Sequence, residues 1–99
     1  MTLETNSDSE LYNSALLDRA IAYLRSGQLE AAQHDYESLQ KSFPTSWQVY
    51  YGLGEIAYQK KDTNAAVRSY QLYLTNSPPG NTETNFIIAR LKELKPGPP

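Results

Sequence analysis

The stretch WQVYYGLGEIAYQKKDTNAAVRSYQLYLTNSPPG, residues 47–80, repeats the pattern of residues 13–46, NSALLDRAIAYLRSGQLEAAQHDYESLQKSFPTS. Shifted by 34 positions, Pro44 falls on Pro78, Tyr36 on Tyr70, and Ala31-Ala32 on Ala65-Ala66. Similar residues align around these identities: Ala20 with Gly54, Ala22 with Ile56, Leu16 with Tyr50, Leu24 with Tyr58, Leu39 with Tyr73. A fixed period of this length marks a repeat architecture, and 34 residues suit one pair of helices. Such a pair cannot bury its own apolar face, so it stacks on a neighbour. The expected fold is all-α, a stack of helix-turn-helix repeats with five helices.

The punctuation of the chain divides it accordingly. Residues 1–8 are polar and are expected to be disordered. Ser9 can cap a first helix, whose apolar stripe runs Leu16, Leu17, Ala20, Ile21, Tyr23, Leu24. Gly27 ends it, since glycine accepts the left-handed conformation that helix ends favour. A second helix is expected from about Gln28 to Ser42, with Leu29, Ala32, Tyr36 and Leu39 inward. Pro44 breaks the chain and restrains Phe43. Thr45 with Gln48 reads as a capping box for a third helix that runs to about Lys60. Asp62 or Asn64 caps a fourth, and Ser77-Pro78-Pro79-Gly80 stops it. Asn81 or Thr82 starts a fifth, carrying Phe86, Ile87, Ile88, Leu91 and Leu94. Residues 9–95 thus form one domain, with repeats 13–46 and 47–80 and a capping helix 81–95. A Pro-rich tail, 96–99, cannot be helical.

Composition excludes several function classes. Nine basic against eleven acidic residues give a net charge of −2, and no Lys/Arg-rich block occurs, so no nucleic-acid partner is expected. No apolar run is long enough to insert in a membrane. The start lacks a basic and then apolar leader, so no signal peptide is expected there. The absence of cysteine removes disulfides and thiolate metal sites and leaves the compartment open, with the cytoplasm as default. The one histidine, His34, has no second histidine to share a metal with and reads as a solvated side chain. Asp35, Glu37, Asp18 and Arg19 read as ordinary helix-surface charges. Gly52-Leu53-Gly54 lies mid-helix with no strand before it and is not a phosphate cradle. No catalytic residue, metal or cofactor is expected.

The second repeat, through Tyr50, Leu53-Gly54, Tyr58, Ala66, Tyr70 and Pro78, resembles the tetratricopeptide repeat. The first resembles it more loosely, through Leu16, Ala20, Tyr23, Ala32, Tyr36 and Pro44, and departs at Arg19, where an apolar residue is usual. The resemblance implies that the first helix of each unit lines a concave groove that takes a protein or peptide. On that pattern the groove residues are Leu17, Asp18 and Arg25 in the first unit and Gln48, Tyr51, Gly52, Glu55 and Tyr58 in the second. Asn85 and Phe86 come from the capping helix, whose solvent side would hold Glu83, Arg90 and Glu93. Members that clamp a chaperone tail use lysines and asparagines on this groove. The lysine and asparagine pairs of that clamp are absent from the first two units here, where Leu17, Ile21 and Gly52 stand, so it is not expected. The function implied is non-catalytic protein–protein interaction. The alternative is the C-terminal end of a longer array, stacking on further repeats or self-associating through Leu11, Tyr12 and the open N-terminal side.

Overall fold

The structure is a computed structural model that describes residues 2–94, with side chains from residue 10 onward. Among the described residues there are five helices: α1 Thr2–Arg25, α2 Leu29–Ser42, α3 Trp47–Gln59, α4 Thr63–Asn76 and α5 Thr82–Leu94. Among the described residues there is no strand. The architecture is the all-α helix-turn-helix repeat expected. The Pro-rich tail 96–99 and the end of the expected capping helix at residue 95 lie outside the described residues. The described residues form two compact units, divided between Pro44 and Thr45.

In the first unit α1 packs on α2. The helix begins at Thr2 instead of at the expected cap, Ser9, and takes in most of the segment expected to lack order. No glycine or proline precedes Gly27, so no residue there breaks the helical ladder. The turn is made by Gly27 at φ 79°. Its N–H donates to the Leu24 carbonyl and that of Gln28 donates to Tyr23, a left-handed helix cap. Leu16, Ala20, Ala32, Tyr36 and Leu39 form the buried apolar set. Ala20 and Ala32 have no exposed surface at all, as expected of small residues where helices cross.

In the second unit α4 packs against both α3 and α5. The cap of α3 is Ser46, one residue beyond the Thr45 expected. Ser46 is the residue in the extended conformation, and its hydroxyl accepts from the Val49 N–H at 3.4 Å. Asp62 caps α4 by accepting from the Ala65 N–H at 3.2 Å. The turn before it reproduces the Gly27 turn, with Lys61 at φ 62° in the glycine's place. Lys61 donates to Tyr58 and Asp62 to Ala57, the same pair of bonds in register. Tyr50, Ala57, Ala66, Tyr70, Tyr73 and Ile87 form the core. Ile87 is the fully buried residue that holds α5 down, worth roughly 1.5–3 kcal/mol.

Candidate functional site

On α3, Tyr51, Glu55 and Tyr58 recur at intervals of four and three residues, which puts them on one face. On α5, Phe86, Arg90 and Glu93 recur at the same intervals. Long side chains join the two stripes. Arg90 lies with its guanidinium carbon 3.6 Å from the centre of the Tyr58 ring and 4.5 Å from that of Phe86. Its Nη1 donates to Glu55 Oε1 at 2.9 Å and to the Tyr70 hydroxyl at 2.9 Å. The Tyr70 hydroxyl in turn donates to Glu55 Oε1. Tyr58 donates its hydroxyl to Glu93 Oε2 at 2.8 Å.

Arg90 was expected on the solvent side of α5, and the structure corrects this: its side chain is only 14% exposed. A guanidinium is planar and weakly hydrated, so it can stack on rings and still reach a carboxylate. Burial opposes the Arg90 charge, but the Tyr70 and Glu55 oxygens outweigh it and hold the group above its ordinary value. Burial, and then the bond to Glu55, push the Tyr70 phenol well up. The Tyr58 phenol is raised first by its bond to Glu93, and that of Tyr51 by burial and then the Glu55 and Glu83 charges. All three phenols are therefore neutral near pH 7, and Glu55 and Arg90 are matched to each other. The cluster fixes rings in place.

The remaining expected site residues divide by unit. Tyr51 is half-buried and its ring tilts against Tyr73, centroids 6.1 Å apart. Trp47 meets the same Tyr73 edge-on at 5.9 Å. Gln48 and Asn85 are exposed, and Phe86 keeps 43% of its surface in solvent. Gly52 is buried, not on the open face expected of it. Leu17, Asp18 and Arg25 sit on α1 in the other unit, the first half-buried and the other two exposed. The structure thus brings together Glu55, Tyr58 and Phe86, with Arg90 and Tyr70 as members that the sequence reading missed.

A second polar pair also overturns the reading of surface charge. Asp35 on α2 is 2% exposed and accepts both Arg19 Nε at 2.8 Å and Nη2 at 2.9 Å. Those bonds hold its carboxyl below the ordinary value against the opposing effect of burial. His34, beside it in sequence, is 82% exposed, as expected of a solvated side chain. Arg19 and Asp35 stand where the second repeat has Leu53 and Ser69. The apparent departure at Arg19 is one half of a matched pair.

Among the described residues no group of three or more His, Cys, Asp or Glu could hold a metal ion. No helix there is long and apolar enough to cross a membrane. No curated protein and no solved structure matches the chain. A family model does: that of the tetratricopeptide repeat matches residues 17–81. The matched span runs from the end of α1 through α4 and contains both turns, both break prolines and the buried Ala32, Gly54, Ala66 and Tyr70. With the 34-residue register made real as helix pairs and the match covering well over half of its length, the chain belongs to the tetratricopeptide repeat family.

Proposed function

We propose that this chain is a non-catalytic interaction module that takes a segment of a partner protein on the α3–α5 face of its second unit. Tetratricopeptide repeats mediate protein–protein interaction, which supports the class of function. The observation that carries the site is the packing of Tyr58 and Phe86 against Arg90, with the half-buried Tyr51 on the same α3 face. Rings held before a partner arrives lose little freedom on binding, and aromatic residues are enriched among the few that dominate an interface. Gln48 and Asn85 flank the rings with amide groups able to bond a partner's backbone. Leu17, Asp18 and Arg25 on α1 enter the proposal as a separate patch.

The test is calorimetric titration of a captured partner protein against the parent chain and against Phe86→Ala, Tyr51→Ala and the α2 control Lys41→Ala. Either aromatic change should weaken binding about tenfold or more, as hot-spot truncations do. Equal losses from Lys41→Ala would defeat the α3–α5 reading.

One observation favours a second reading. Leu11 and Tyr12 on α1 are 69% and 67% exposed. Large apolar side chains so open suit a surface that other repeats or a further copy would cover.

A further inference from the structure

The last helix leaves open a seat that is filled in the pairs before it. Ala20 on α1 is wholly buried, and Gly54 on α3 lies under the ring of Tyr70 from α4. The next position in the 34-residue register is Ile88 on α5, and it is 38% exposed. Ile88 and Leu91 from α5, with Val67 and Leu74 from α4, line a groove of about 480 Å³. Lys92 is the charged residue of its lining.

The same chain carries a ridge of opposite character. Leu11 and Tyr12 project from α1, with Ala15 exposed one turn on. Glu10 adjoins them, and residues 2–10 hold three acidic residues and no basic one. An apolar helical ridge with an acidic flank matches an apolar groove with a lysine on its lining, the mode in which a helix docks in a groove. We propose that the α4–α5 groove receives α1 of a second copy of this chain, in a head-to-tail contact. The occupant is a helix because the groove occupies the place that a second helix takes in each complete repeat. It is a second copy because the chain itself supplies the ridge and the charge that fit. The contact joins two different patches, so a joined pair keeps one free groove, on one copy, and one free ridge, on the other. The proposal rests on the second reading above for the open side of α1. The α3–α5 face takes no part in it.

The experiment is sedimentation velocity of the full chain over a wide concentration range. Ile88→Glu removes the groove and Tyr12→Glu removes the ridge, with helix content checked by circular dichroism. The parent should associate as concentration rises, and each variant alone should stay monomeric. An equimolar mixture of the two variants should give a dimer and nothing larger, because one intact groove meets one intact ridge. Should Ile88→Glu lose helix content, Lys92→Glu takes its place, and Glu10→Lys should restore the association that Lys92→Glu weakens. A parent chain monomeric throughout, a mixture that stays monomeric, or association that survives Tyr12→Glu would each overturn the proposal. Phe86→Ala should leave self-association unchanged, which separates this contact from the proposed partner site.

Discussion

Tyr70 lies against Gly54 so closely that a β-carbon at position 54 would stand 2.5 Å from the ring Cε1 and 2.6 Å from Cδ1. Neither residue can easily give way. Tyr70 is wholly buried, and its hydroxyl is bonded to Glu55 and Arg90. Gly54→Ala should therefore destabilise the chain by about 1–3 kcal/mol, the range for overpacking a filled core. That cost outweighs the roughly 1 kcal/mol that alanine normally gains over glycine in a helix. Urea unfolding reads the balance, and a rise in midpoint would show that the α3–α4 crossing has room to spare.

This crossing was legible in the sequence because the register made it visible twice. Ala20 and Gly54 are small at one phase of the 34-residue period, and Tyr36 and Tyr70 are large at another. The polar contacts were hidden because they join residues far apart in sequence. Glu55 and Arg90 lie 35 residues apart, on different helices, and charges on amphipathic helices are usually solvated. Arg19 and Asp35 did leave a signal. Each stands eight residues from Gly27, so an antiparallel pair folded at that turn sets them opposite each other. At the start of α1 a polar composition speaks against burial, not against a helical backbone.

The Arg19–Asp35 pair predicts an acid dependence. The Asp35 carboxyl is held below its ordinary value in the folded chain. Its contribution is then present above the unfolded value, about 3.9, and lost as pH falls through the folded value. Asp35→Asn should lower stability near pH 7 by about 1–3 kcal/mol, because it disturbs a buried acceptor of two charged bonds. The variant should also lose less stability than the parent between about pH 5 and 2. Denaturant midpoints measured across that range decide it. Parallel curves for the two proteins would mean that Asp35 shares its pairing with the unfolded chain.

The same linkage runs the other way for Tyr70. Its phenol is raised in the folded state, so its contribution is complete below the unfolded value of about 10 and is lost as pH climbs above it. Tyr70→Phe keeps the ring over Gly54 and removes the ionising group. It should cost stability at pH 7, since Arg90 and Glu55 lose a partner. Its alkaline decline above about pH 10 should be shallower than the parent's. A variant that declines as steeply would assign that limb to other tyrosines.

Arg90→Lys tests whether geometry or charge alone holds α5. Lysine keeps the charge but cannot lay a plane against Tyr58 and Phe86 while bonding Glu55 and Tyr70. A loss of about 1.5–3 kcal/mol is expected, in line with hydrogen bonds to charged groups. It should appear first as faster amide exchange in α5, which Ile87 in the core and Leu91 and Leu94 packed against it also hold to the unit. Exchange in α1 and α2 should not change. Uniform acceleration across all five helices would mean that α5 does not open on its own.

Lys61 offers a stabilising change. It occupies the left-handed region at φ 62°, where Gly27 stands at φ 79° in the first repeat, and both turns make the same two backbone bonds. A residue with a β-carbon is disfavoured there by about 1–2 kcal/mol, and glycine is not. Glycine also frees the unfolded chain, which takes back about 0.4–1 kcal/mol. The net gain for Lys61→Gly is then roughly 0.5–1 kcal/mol, or a few degrees in Tm for a chain of this size. The reverse change, Gly27→Lys, should lower Tm by a similar amount. Thermal unfolding followed by circular dichroism measures both. A lower Tm for Lys61→Gly would mean that the exposed lysine makes a contact worth more than the conformational cost it carries.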